Sequence, residues 1–111
     1  MSAESTCQCT ELTPAGRGAI ATLLVCGPTA AEKISNFFRP QASVSVADLL
    51  QERIYFGRWQ VETERPGEEL VVCRIADDQF EIHCHGGRAA VDAIRASLLR
   101  VGCETDDWKS A

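Results

Sequence analysis

Glu81-Ile82-His83-Cys84-His85-Gly86-Gly87 runs from an alternating segment into an amphipathic helical pattern, and it gathers the chain's two histidines, a thiol and a glycine pair at one turn. Residues 80–84 read as a short strand because apolar and polar side chains alternate. Period-two geometry then puts Phe80, Ile82 and Cys84 on one face and Glu81, His83 and His85 on the other. The apolar set faces a core. Gly86-Gly87 admits backbone dihedrals closed to other residues, and Val91, Ile94, Leu98 and Val101 follow at the spacing of a helix with one buried stripe. Gly102 stands where that helix should stop. The first helical turn offers N–H groups that suit an anion beside the histidines. The competing reading is structural, with glycines that only make the turn and histidines solvated on a half-exposed strand.

A strand feeding a helix needs a sheet to complete it, and the rest of the chain supplies one. Residues 7–12 form a first strand, ended by the turn Thr13-Pro14-Ala15-Gly16-Arg17-Gly18. Residues 19–26 are an apolar run with only Thr22 polar, short enough for a buried strand, and Gly27-Pro28 breaks it. Thr29 with Glu32 is a capping-box signature, and Ile34, Phe37 and Phe38 give a helix over about 29–38 its buried stripe. Residues 41–52 read as a connector. Residues 53–63 and 70–75 read as a hairpin about Arg65-Pro66-Gly67. The order β-β-α-β-β-β-α, with room for a terminal strand after Gly102, is α+β rather than doubly wound, because strands cluster instead of alternating with helices. One domain over 1–111 is expected, with a polar tail at 104–111 that frays.

Composition excludes several functions. A net charge of −5 and a pI near 4.9, with scattered basic residues, argue against direct nucleic-acid binding. No apolar run reaches the length of a membrane span, and residues 1–6 lack the regions of a signal peptide, so a cytoplasmic location is expected. The six cysteines, at 7, 9, 26, 73, 84 and 103, sit mostly among aliphatic residues and are expected to be reduced and metal-free. A zinc site from Cys7, Cys9, His83 and His85 would need the two strands to be neighbours facing the same side. The chain contains no G-x-x-x-x-G-K-[ST] loop and no nucleophile elbow, so no catalytic residue is assigned and GTP hydrolysis by this chain is not expected.

Two segments together carry a resemblance. Thr13-Pro14-Ala15-Gly16-Arg17-Gly18-Ala19-Ile20-Ala21 with the run to Gly27-Pro28, and Glu81-Ile82-His83-Cys84-His85-Gly86-Gly87, resemble the N-terminal domain of the MnmE (TrmE) tRNA modification GTPases. Motifs of that family read T-P-P-G-[RK]-G-[GA]-I, running on to R-[IL]-S-G, and E-[VIL]-x-[CG]-H-G-G before a helix. The resemblance implies a mostly antiparallel sheet with two helices, similar to the tetrahydrofolate-binding part of glycine-cleavage T-proteins. It implies a homodimer that holds 5-formyl-tetrahydrofolate or a related folate near its interface. GTPase and helical domains of a longer parent protein would lie downstream, with an MnmG-like partner in the modification of wobble uridine. Carried over by position, the folate-binding candidates are Gly16, Arg17, Gly18, Glu81, His85, Gly86 and Gly87. Two departures stand against full conservation of the site. Leu24 occupies the place of the family arginine, and a T-G-E-D loop before the second motif is missing. The alternative is therefore an interaction or scaffolding module that keeps the fold but has lost folate.

Overall fold

The computed structural model describes residues 7–12, 20–65, 67–85 and 87–106. Among these it forms strands β1 (Gln8–Glu11) and β2 (Ala21–Cys26), helix α1 (Ala30–Ser35), and strands β3 (Phe38–Pro40), β4 (Ile54–Trp59), β5 (Glu68–Ala76) and β6 (Gln79–Cys84). Helix α2 (Gly87–Arg100) and strand β7 (Glu104–Asp106) complete the order. The strands make one sheet in the order β3-β4-β5-β6-β2-β1-β7. Neighbours run antiparallel throughout except for the parallel pair β1 and β7. The α+β class and the mostly antiparallel sheet with two helices are as the sequence implied.

Alternation decides which face is covered. Leu23, Val25, Leu70, Val72, Phe80 and Ile82 are buried on one face of the sheet, in one core with Ile34 of α1 and Val91, Ile94 and Leu98 of α2. Each such side chain contributes about 1.5–3 kcal/mol relative to exposure. Trp59 ties α2 to β4: its indole N–H donates to Ser97 Oγ at 2.9 Å, and the Ser97 hydroxyl donates to the Ile94 carbonyl at 2.7 Å. A buried tryptophan and serine thus satisfy each other. Strand β2 is half-covered rather than buried on both faces, since Thr22, Leu24 and Cys26 alternate with the core residues.

Four expectations need correction. The helix expected over 29–38 ends at Ser35, because Asn36 Nδ2 bonds the Glu32 and Lys33 carbonyls and Phe38 pairs with Trp59 as the first residue of β3. Thr29 stands at the N-cap with φ −107° and ψ 14°, off the extended geometry a capping box requires, and makes no side-chain cap. The tail does not fray at once: Glu104–Asp106 forms β7, and residues 107–111 lie outside the described residues. The six thiols are not all free, because Cys7 and Cys103 form a disulfide with Cα atoms 4.7 Å apart. The cause is register, since the parallel pairing of Gln8 with Glu104 brings the preceding cysteines side by side. No helix among the described residues is long and apolar enough to cross a membrane.

Candidate functional site

Both helices pack on one face of the sheet, and the open face is built from the alternate residues. Direct register places Thr10, Leu24, Glu81, Cys73 and Ile54 on one rung across β1, β2, β6, β5 and β4. The adjacent rung carries Thr22, His83, Val71 and Phe56. Glu81 and His83 thus stand side by side on the open face, as the alternation implied, with Phe80, Ile82 and Cys84 in the core.

A hydrogen-bonded chain joins the two rungs. His83 Nδ1 lies 3.2 Å from Thr22 Oγ1, and His83 Nε2 lies 3.1 Å from Glu81 Oε1. One neutral tautomer satisfies both: the threonine hydroxyl donates to Nδ1 and Nε2–H donates to the carboxylate. The chain holds the Glu81 carboxylate in one orientation and leaves its second oxygen available. Glu81 and His83 side chains are 29% and 33% exposed, so a ligand can reach both while neither is fully solvated. On the same rung, Cys73 has its thiol pushed up by burial and then by the Glu81 and Glu52 carboxylates, which disfavours a thiolate there.

His85 is exposed just past β6, and Gly87 opens α2 with φ +79°. A Cβ at Gly87 would meet nothing within 4 Å, so glycine is required by the dihedral and not by space. Gly16, Arg17, Gly18 and Gly86 lie outside the described residues. Of the sequence candidates, Glu81 stands in the middle of β6, His85 just past its end and Gly87 at the start of α2. Sequence reasoning missed Thr22 and the hydrogen bonds that join His83 to Thr22 and Glu81. The signal was the lone polar residue in the apolar run at 19–26. Leu24, at the position where the resemblance would put an arginine, is the direct cross-strand partner of Glu81.

Behind the turn, α2 is tethered by a buried ion cluster. Arg88 Nη2 donates to Glu11 Oε1 at 2.7 Å, and Arg95 Nη1 stands 3.6 Å from the same oxygen. Glu11 is 1% exposed, and its other oxygen has no partner among the described residues. Cys9, next along the core face of β1, has its thiol pushed up to about 12, chiefly by burial. The zinc alternative fails on geometry: Cys9 faces the core, His83 the open side, and β2 lies between their strands. Among the described residues no cluster of three or more His, Cys, Asp or Glu is placed to hold a metal.

The open face also carries a cavity of about 280 Å³ toward the β3 edge, lined by Arg39, Gln41, Phe56, Gly57, Arg58 and Glu69. Arg58 Nη2 contacts Glu69 Oε2 at 2.8 Å. Arg39 is the direct cross-strand partner of Arg58, and it donates from Nη1 and Nη2 to the Ser35 and Asn36 carbonyls at 3.1 Å each.

No family model matches the chain. Curated relatives do. The tRNA modification GTPase MnmE of Natranaerobius thermophilus is 33% identical over 98 residues, which is 81% of this chain and 21% of that protein. MnmE proteins of Heliobacterium modesticaldum and Carboxydothermus hydrogenoformans are 31% and 28% identical over the same shares. The chain thus spans about a fifth of the length of these relatives. Among solved structures, the glycine cleavage system aminomethyltransferase T from Bartonella henselae superposes with a TM-score of 0.61 at 20% identity, over 86% of this chain and 24% of that one. That likeness shows a shared fold, in agreement with the T-protein resemblance read from the two motifs. The paired motifs, the curated relatives and the fold converge on one statement: the chain is a relative of the N-terminal domain of the tRNA modification GTPase MnmE.

Proposed function

We propose that this chain is a folate-binding dimerisation domain of the MnmE type, serving a cytoplasmic GTPase that acts on the wobble uridine of tRNA. The observation that carries the reading is the Thr22–His83–Glu81 chain on the open face. A carboxylate has about four acceptor sites, and His83 occupies one of them on Glu81. The remainder suit the paired N–H donors on the amide and amino edge of a pterin. Leu24 and Val71 flank Glu81 and His83 on the open face, offering apolar surface to a flat ring. The donor set therefore fits a 5-formyl-tetrahydrofolate-type ligand, which when bound would supply the one-carbon unit. This chain's own part is to bind and orient it.

Dimerisation is supported by exposed apolar side chains. Ile54 and Phe56, on the open face, are 74% and 46% exposed, and Leu12 and Ile20 are exposed beside β1 and β2. A second copy over this face would cover them and enclose the ligand between the two. GTP chemistry and recognition of an MnmG-like partner belong to segments downstream of this domain, which itself contacts no nucleic acid.

Calorimetric titration with 5-formyl-tetrahydrofolate tests the reading. Glu81→Gln removes a charge-assisted acceptor, an interaction of about 1.5–3 kcal/mol, or roughly 10- to 150-fold in affinity. With Glu81 nearly one-third exposed, the lower end applies. Sedimentation should show the dimer unchanged. A dimer with no folate binding would instead favour the scaffolding reading, for which the leucine opposite Glu81 is the specific observation.

A further inference from the structure

A folate carries two chemically different ends, a pterin and a carboxylate-bearing tail, and Glu81 can recognise only the first. The chain's net charge of −5 opposes a polyanionic ligand unless cations lie where the tail comes down. Among the described strand residues on the open face, Arg39 and Arg58 are the arginine and lysine side chains present, and they stand directly opposite each other. Like charges in that relation repel, which an anion between them would relieve. Gly57 makes the pairing possible, because a Cβ there would run into the Arg39 carbonyl and the Phe38 ring as β3 approaches β4.

We infer, resting on the folate reading above, that the Arg39–Arg58 pocket is the subsite for the carboxylates of the ligand's aminobenzoyl-glutamate tail. Register gives the path. β4 is two strands from β6, and Arg58 lies four residues beyond Ile54, the residue on the Glu81 rung. At about 4.8 Å per strand and 3.3 Å per residue, Arg58 and Glu81 are about 16 Å apart, with Phe56 between them. A ligand with its pterin on Glu81 thus runs its aromatic linker over Val71 and the exposed Phe56 ring and delivers its tail to the 280 Å³ pocket. Glu69 holds Arg58 in the meantime, but both side chains are about half exposed, at 47% and 50%, and such a pair exchanges readily for a ligand carboxylate. Arg39 keeps N–H donors beyond the two given to the end of α1.

The test uses the two ends separately, with amide NMR mapping and calorimetry on p-aminobenzoyl-L-glutamate and on 6-methylpterin. The tail fragment should shift the amides of Gln41, Gly57 and Arg58, and Arg58→Gln should weaken it about tenfold. Glu69→Gln should tighten it about threefold, because it removes the internal competitor, and a loosened fold cannot mimic such a gain. Tail binding indifferent to both substitutions, or shifts confined to other strands, would overturn the inference. Pterin binding without tail binding removes the pocket and leaves the folate reading, whereas tail binding at Arg58 without pterin binding supports the pocket and removes the folate reading.

Discussion

Replacing Glu11 by alanine tests whether the buried ion cluster is what seats α2, and with it the turn at Gly87, on the sheet. The carboxylate is 1% exposed and accepts from Arg88 at 2.7 Å, with Arg95 at 3.6 Å. Removing one partner of a buried ion pair costs about 3–5 kcal/mol, since the other charge is left uncompensated. Two features reduce that here. Arg88 is 37% exposed and has the Asp92 carboxylate at 3.4 Å as a second ion-pair neighbour, while the unpartnered oxygen of Glu11 already offsets part of the pair's gain. Arg95, at 17% exposure, keeps most of the penalty. The expected loss is about 2–3 kcal/mol, which for a domain near 100 residues lowers Tm by roughly 10–20 °C. Urea unfolding of wild type, Glu11→Ala, the singles Glu11→Leu and Arg95→Met, and their double variant measures it. An apolar pair can replace a buried ionic one at little cost, so the double variant should recover to within about 1 kcal/mol of wild type. A loss below about 0.5 kcal/mol in Glu11→Ala, or a double variant as weak as the sum of its singles, would refute the reasoning.

On the open face, His83→Leu should weaken 5-formyl-tetrahydrofolate about tenfold through loss of the group that orients Glu81, and His83→Gln, which keeps an N–H donor, should recover part of it; equal affinities in a titration would remove the positioning role. Leu24→Arg puts a guanidinium across from Glu81 and should tighten the same ligand by about tenfold, whereas weaker binding would mean that the new arginine satisfies Glu81 in place of the ligand. Cys9 stays protonated up to about pH 12, because burial raises its thiol, so mass mapping after iodoacetamide at pH 8 should find partly exposed Cys26 labelled and Cys9 spared; early labelling of Cys9 would contradict its burial. Cys7→Ser opens a link spanning 96 residues and should lower unfolding stability by about 2–4 kcal/mol, with an unchanged urea midpoint as the contrary result.

The unit from β6 into α2 was legible in the sequence because its determinants are local. Alternation over 80–84 chose the core face, a glycine supplied the positive φ at 87, and the apolar stripe with Gly102 bounded the helix. The same reasoning placed Glu81 on the open side, and the resemblance to MnmE read from the two motifs agrees with the curated relatives. What the sequence could not decide depends on register between distant segments. Phe38 carries the pattern of a helical stripe, and the burial it gains by pairing with Trp59 outweighs that local preference, so α1 stops short and β3 forms. The links that build the site and its support join residues 61, 77 and 96 apart: Thr22 to His83, Glu11 to Arg88, and Cys7 to Cys103. Periodicity within about ten residues determined which face each side chain takes, but only the packed sheet determined which neighbour it meets there, because a cross-strand partner is set by the pairing of whole strands and not by the sequence on either side.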